Sequence, residues 1–226
     1  MSSPNLIITG DGSHSLLNTQ MNETYHSVHG AIQESRYVFI QQGLAFWCAS
    51  HTETVSILEV GFGTGLNALL SLEFSRIQNR PVRYETLEAY PLGPEIYRCL
   101  NYGEKIMGQD WLNGLHDLAW SATHRVTDKF TFVKHQDKLQ DFGIVPNAYD
   151  VIYFDAFAPS RQPEMWDLPL LAKVIQGLRP SGVFVTYCAK GQLKRDLRQQ
   201  GLKVETLPGP PGKKEMVRGI VDHATK

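Results

Sequence analysis

The stretch Ile57-Leu58-Glu59-Val60-Gly61-Phe62-Gly63-Thr64-Gly65-Leu66-Asn67 is an apolar run that ends in three alternate glycines and passes directly into a helical pattern. A strand, a glycine turn and a helix in this order open a nucleotide-cofactor fold. A side chain at Gly61, Gly63 or Gly65 would forbid the turn or stand where a ligand must lie against the main chain. Dinucleotide folds use G-x-G-x-x-G, which requires glycine at position 66, where this chain has Leu66. A P-loop requires a lysine followed by Ser or Thr, and here the helix starts with Leu66 and Asn67. The spacing therefore argues against NAD and ATP and for S-adenosylmethionine (SAM).

The 226 residues, 42% of them hydrophobic, suffice for one substantial core. A formal net charge of −1 argues against broad nonspecific nucleic-acid binding, yet it leaves room for a local basic patch and does not exclude RNA. Cys48, Cys99 and Cys188 are far apart and form no C-x-x-C pair, so free thiols are expected in place of a metal site or disulfide framework. His26, His29 and His135 have no metal-ligand spacing and read as solvated or locally hydrogen-bonded. The start of the chain has no basic flank leading into an apolar segment, and no apolar run reaches membrane-spanning length. A cytoplasmic protein without a membrane partner is expected.

Short strands rich in β-branched and aromatic residues alternate with helical patterns, the order of a parallel sheet covered on both faces. Strands are expected over 55–62, 82–89, 130–135, 149–154 and 182–188, and helices over 66–77, 164–178 and 191–200, the last closed by Gly201. The Pro/Gly-rich turn Pro208-Gly209-Pro210-Pro211-Gly212 separates strands over 203–207 and 215–221, an antiparallel edge pair. Together these predict an α/β, Rossmann-like class I methyltransferase fold with a mostly parallel seven-stranded sheet. Residues 1–54 read as an accessory segment, with a hairpin-type turn at Asp11-Gly12-Ser13 and a helix over 34–49, ahead of a catalytic domain over 55–226.

In an open parallel sheet the ligand sits beyond the carboxyl ends of the strands, and three acidic residues fall there. Glu88 closes the second strand, where a carboxylate accepts from ribose hydroxyls or is simply a surface group. Asp137 follows the third and faces the adenine amino group or serves as a helix cap. Asp155 ends the apolar run Tyr149-Asp150-Val151-Ile152-Tyr153-Phe154 and enters Ala156-Phe157-Ala158-Pro159, a rigid exit at the expected site of chemistry. Amine methyltransferases often carry Asp/Asn-Pro-Pro-aromatic at this place. Here the sequence is Asp-Ala-Phe-Ala-Pro; Asp155 either orients an amine or caps the turn. Lys190, Lys194, Arg195, Arg198, Lys213, Lys214 and Arg218 are candidate phosphate contacts or a solvated face.

The segments Asn22-Glu23-Thr24-Tyr25-His26-Ser27, Glu34-Ser35-Arg36-Tyr37-Val38-Phe39, Leu87-Glu88-Ala89-Tyr90-Pro91-Leu92, Asp155-Ala156-Phe157-Ala158-Pro159, Pro163-Glu164-Met165-Trp166 and Gly212-Lys213-Lys214-Glu215-Met216, with the glycine turn, resemble the MnmC-type SAM-dependent tRNA methyltransferases. The resemblance implies methylation of the aminomethyl group of wobble 5-aminomethyl-(2-thio)uridine in a tRNA anticodon stem-loop. It implies cofactor contacts along Glu59, Gly61, Phe62, Gly63, Thr64, Gly65, Asn67, Glu88 and Asp137, and Asp155 as the catalytic residue. Tyr25, Phe157, Pro159, Trp166, Lys213, Lys214 and Arg218 become substrate contacts. The bifunctional members also carry an FAD-dependent oxidase domain. No second glycine turn followed by a strand and helix occurs here, so neither FAD nor metal is expected. Methylation of a small amine or a protein, and a non-catalytic RNA-binding module on the same fold, are the competing readings.

Overall fold

The computed structural model describes residues 4–222. At its centre β4 (Val55–Val60) is buried along its whole length, as is β8 (Tyr149–Phe154) beside it. Period-2 alternation explains why both faces are apolar: Val55 and Ile57 point into one core with Val151 and Tyr153, while Leu58 and Val60 join Ile152 and Phe154 in the other. The first core is covered by α3 (Leu66–Ile77) and the N-terminal helical segment. The second is covered by α7 (Leu168–Ile175) and α8 (Gly191–Gln199).

The sheet has eight strands rather than the expected seven, in the order β10-β11-β9-β8-β4-β5-β7-β6. Its parallel centre is β9 (Leu178–Thr186), β8, β4, β5 (Val82–Leu87) and β7 (Phe130–His135). The expected terminal hairpin is present: β10 (Leu202–Pro208) pairs with β11 (Glu215–Val221), and β11 pairs antiparallel with β9. The additional strand, β6 (His124–Thr127), lies antiparallel on β7 at the opposite edge. Its four residues, none fully buried, carry no apolar alternation by which to be read.

A further small sheet comes from the N-terminal segment, where β1 (Asn5–Ile8), β2 (His14–Asn18) and β3 (Glu23–Thr24) run antiparallel. The turn between β1 and β2 contains Asp11, whose Oδ1 accepts from the Ser13 N–H at 2.9 Å. The expected helix over 34–49 starts earlier, as α1 (Ala31–Ser35), continues with π-type winding over Arg36–Ala45, and ends in α2 (Phe46–Cys48). Gly43 lets this helix lie on the sheet, since a Cβ there would stand 2.9 Å from Val185 Cγ2 and 3.3 Å from Tyr153.

The expected helix over 164–178 is broken. A 3-10 turn (Pro163–Trp166) is followed by extended backbone at Asp167, and α7 begins with Pro169 in its first turn. Leu178 already pairs with Tyr149 as the start of β9, eight residues before that strand ends. Three short helices, α4 (Pro94–Tyr97), α5 (Tyr102–Ile106) and α6 (Gln109–Asp117), occupy the connection from β5 to β6. Among the described residues no helix is long and apolar enough to cross a membrane.

Candidate functional site

Beyond the carboxyl ends of β4, β5, β7 and β8 lies a cavity of about 1230 Å³. Pockets that hold one small ligand measure roughly 300–1,000 Å³, so this one has room for a cofactor and part of a second substrate. The glycine turn forms its floor. Gly61, Gly63 and Gly65 all have positive φ, at 95°, 49° and 75°. The N–H groups of Gly61 and Phe62 both donate to the Leu87 carbonyl at 3.0 Å, fixing the turn to the end of β5. A Cβ on Gly61 would stand 2.7 Å from the Asp155 carbonyl oxygen, because the turn and the exit from β8 run against each other. Only glycine allows that approach.

Glu88 lies at the rim, its Oε2 accepting from the Gly63 N–H at 2.9 Å and its Oε1 from the Tyr90 N–H at 2.8 Å. Asp137 is exposed on the same wall, where its Oδ1 accepts from the Lys138 N–H at 2.9 Å. These residues fit SAM: bare backbone at the turn, a carboxylate beside it and a second acidic side chain on the cavity lining.

Asp155 is half-buried at the end of β8, and its Oδ2 accepts from Asn67 Nδ2 at 2.8 Å. Burial pushes its carboxyl up to about 7, helped by the Glu34 charge and opposed by the Asn67 hydrogen bond and by Lys213. Around it stand Tyr25 and Phe157, edge to face with centroids 5.1 Å apart, and Tyr187. Tyr187 donates its hydroxyl to the Ala156 carbonyl at 2.8 Å.

Several residues expected in direct contact stand one layer back. Glu59 is fully buried outside the cavity lining. Its Oε2 accepts from Thr86 Oγ1 at 2.7 Å, and burial raises it to about 8. Both Glu59 Oε1 and the Asn67 Oδ1 are buried without a partner. Asn67 is itself 2% exposed and reaches Asp155, not the cavity. Phe62 packs its ring against His116, Trp120 and Phe132, so only its backbone faces the ligand. The Thr64 hydroxyl meets His26 Nε2 at 2.6 Å, and its carbonyl meets His116 Nε2 at 3.0 Å. Burial pushes both histidines down to about 4. They are neutral clamps on the turn. Gly65 caps α3 in a left-handed conformation outside the lining.

On the substrate side, Trp166 is buried against Phe154 and donates Nε1–H to the Phe157 carbonyl at 2.8 Å. It braces the exit loop and does not wall the cavity, and Pro159 is also absent from the lining. Arg218 is 8% exposed, paired with Glu205 at 2.8 Å and with Gln42, and stacked over Phe46. It is a structural cation, not a phosphate contact. Lys194 pairs with Glu215 at 2.7 Å, whereas Lys214 is exposed. Lys213 reaches into the cavity, paired with Glu34 and lying 3.8 Å over the Tyr187 ring. Glu34 opens one of the segments that carry the resemblance but was assigned no role, since nothing local separates a buried acid at a helix start from a solvated one. Among the described residues no His, Cys, Asp or Glu cluster is arranged to hold a metal ion.

Glu59→Gln tests the protonated state directly. A carboxyl raised from 4.5 to about 8 contributes stability that is fully present below pH 4.5 and is lost as pH rises through about 8. Glutamine mimics the neutral acid and avoids that loss. The variant is expected to melt with wild type at pH 4.5 and roughly 4 °C or more above it at pH 9, the shift that one to two kcal/mol gives a chain of this size. A lower melting temperature at pH 9 would show that Glu59 is held as a carboxylate.

Residues 105–222 match the family described as S-adenosyl-L-methionine-dependent methyltransferase. The chain is 30% identical over 212 residues to the tRNA 5-methylaminomethyl-2-thiouridine biosynthesis bifunctional protein MnmC of Magnetococcus marinus, an alignment covering 88% of this chain and 31% of that protein. The protein of the same name from Pseudoalteromonas atlantica is 29% identical over 223 residues, covering 90% of this chain and 32% of its own. The chain thus spans about a third of the length of these relatives. Among solved structures, MNMC2 from Aquifex aeolicus superposes with a TM-score of 0.79 at 24% identity, over 97% of this chain and 70% of that one, and so shares the fold. With the matched family spanning just over half of the sequence and the glycine turn preceding it in place, this chain belongs to the S-adenosyl-L-methionine-dependent methyltransferases.

Proposed function

We propose that this protein transfers a methyl group to the amino nitrogen of an aminomethyl substituent on the wobble uridine of tRNA, with Asp155 as the proton acceptor. The observation that carries the reading is Asp155 itself, a carboxylate tuned near neutrality, braced by Asn67 and facing the cavity that the glycine turn floors. The names of the relatives, which specify biosynthesis of a methylaminomethyl-thiouridine in tRNA, support the substrate.

When bound, SAM supplies a methyl group on a sulfonium, open to in-line attack by a neutral amine. Gly61 and Gly63 would keep the main chain clear for it, and Glu88 would accept from its ribose hydroxyls. An aliphatic ammonium has no lone pair to attack with, so the protein's task is to orient the amine and take its proton. Asp155 accepts that proton, and its position near pH 7 suits the exchange in both directions. Tyr25 and Phe157 provide the aromatic surface on which an unstacked base lies. Neither a metal nor a flavin takes part in this scheme. Residues 55–226 hold the catalytic domain, and 1–54 contribute to its site through Tyr25 and Glu34.

The test is incubation of purified protein with SAM and tRNA carrying 5-aminomethyl-uridine, followed by mass spectrometry of the nucleosides. Appearance of methylaminomethyl-uridine is expected. Methyl incorporation into small amines or protein in place of tRNA would move the substrate assignment.

Lys214 gives a separate prediction for the phosphate contacts. Lys214→Ala is expected to raise KM for tRNA and flatten its dependence on salt by about one phosphate's worth of slope, without changing SAM affinity. Arg218→Ala should instead lower the melting temperature, because it removes a buried guanidinium that pairs with Glu205 at 2.8 Å and packs over Phe46. Equal salt slopes for Lys214→Ala and wild type return Lys214 to a solvated surface.

A further inference from the structure

The site contains an ion pair that methyl transfer does not require for binding the cofactor. Glu34, at 4% exposure, is one of the most buried acids in the chain. Its Oε2 accepts from the Ser27 N–H at 2.8 Å and its Oε1 from Lys213 Nζ. Lys213 comes from the far end of the sequence, on the turn between β10 and β11, and crosses the Tyr187 ring to reach it. Tyr187 in turn holds the Ala156 carbonyl, adjacent to Asp155. Opposite charges thus join two distant segments inside the cavity that Asp155 also lines.

The other groups that act on Asp155 carry no charge near neutral pH. Asn67 from α3 is an amide. Glu59 from β4, raised to about 8, is neutral, and burial holds the hydroxyls of Tyr84 from β5 and Tyr187 beyond β9 well above their usual range. Glu34 and Lys213 are then the charged side chains with a hold on the Asp155 proton.

We propose that Glu34 and Lys213 are positioning residues for amine deprotonation: the Glu34 carboxylate strengthens Asp155 as a proton acceptor, the Lys213 ammonium weakens it, and their balance sets the pH at which the amine is delivered neutral. This rests on the reading of the cavity as an amine methylation site. Lys213 is therefore a tuning charge within the cavity and not a phosphate anchor.

The experiment is a titration of aspartate 13Cγ resonances by NMR in the protein alone, with the Asp155 signal identified by its loss in Asp155→Asn. Glu34→Gln removes a negative charge and leaves Lys213 unopposed, so the Asp155 midpoint is expected to fall by roughly one pKa unit. Lys213→Met does the opposite, and the midpoint is expected to rise by a similar amount. The double variant removes both charges and should return close to wild type. A structural role would not produce opposite shifts. Shifts in the same direction, or a stationary midpoint in both, overturn the assignment. Lys213 sits on the turn between β10 and β11, so if Glu34→Gln does not fold the Lys213→Met arm decides alone, with a midpoint at or below wild type overturning it. The acid limb of single-turnover methyl transfer should move with each midpoint. If the midpoints shift as expected but no tRNA is methylated, the proton assignment stands and the substrate reading falls; methylation with stationary midpoints gives the converse.

Discussion

Asp155→Asn is expected to bind SAM and tRNA nearly as wild type does while single-turnover methyl transfer at neutral pH falls by roughly a hundredfold or more, the usual effect of losing a positioned acid or base. The variant keeps the size of the side chain and an oxygen to accept from Asn67 Nδ2, so the exit from β8 retains its brace. What it loses is the site to which the amine's proton goes. The pH dependence separates this from misfolding. Burial, with the Glu34 charge behind it, holds the Asp155 carboxyl at about 7, so below that pH the wild-type group is already protonated and the rate should decline. In the variant that limb disappears. Its rate should instead climb with pH as the free amine itself loses its proton, giving partial recovery under alkaline conditions. A near wild-type rate at neutral pH would make Asp155 a turn cap and send the proton along another path.

The position of Asp155 was legible because the strand that delivers it is almost wholly apolar and stops at a sharp boundary. Tyr149–Phe154 appears in the fold with the bounds its composition implies, and so do Phe130–His135 and Glu215–Val221. Parallel strands buried on both faces announce themselves as continuous hydrophobic runs. The elements that escaped reading lack that signal. β6 is short, and β3 has only two residues, so neither offers a pattern. The broken helix before β9 failed for another reason: Leu168, Leu170, Leu171, Val174 and Ile175 are periodic, but Asp167 is extended, and after Gln176 and Gly177 the apolar Leu178 belongs to the strand and not to the helix.

Side-chain roles divided along similar lines. Residues placed by their backbone, such as Gly61 and Gly63, were readable from spacing because both sit at positive φ, which favours glycine. Residues whose function depends on a distant partner were not. Arg218 and Lys213 belong to one basic cluster in sequence, yet one is locked against Glu205 and Phe46 while the other enters the cavity. Trp166 has the composition of a stacking platform, but its ring nitrogen is committed to the loop carbonyl of Phe157. Contacts spanning 138 to 179 residues of chain, like Arg161 to Glu23 and Lys213 to Glu34, leave no local trace.

At the cofactor end, Glu88→Ala is expected to weaken SAM binding by roughly ten- to a hundredfold, the range for deleting a hydrogen bond to a charged group at about 1.5–3 kcal/mol. Two effects act together. The ribose hydroxyls lose their acceptor, and the N–H groups of Gly63 and Tyr90 lose the carboxylate that holds the turn and the rim in register. Glu88→Gln retains one carbonyl oxygen and should fall between the alanine variant and wild type. Gly63→Val attacks the same site through the backbone. At φ 49° a β-branched residue is strained, and the added Cβ would lie 3.3 Å from the Tyr25 ring, on the face where the ligand approaches. Its loss of affinity should equal or exceed that of Glu88→Ala, and Gly63→Ala provides a milder form if the valine variant melts too low to titrate. Calorimetric titration of each folded variant with SAM measures the effect, with thermal melts as the control for folding. Affinity unchanged in both Glu88→Ala and the Gly63 variants would mean that the glycine floor and its carboxylate do not hold the cofactor, and that the cavity above Asp155 is occupied from another direction.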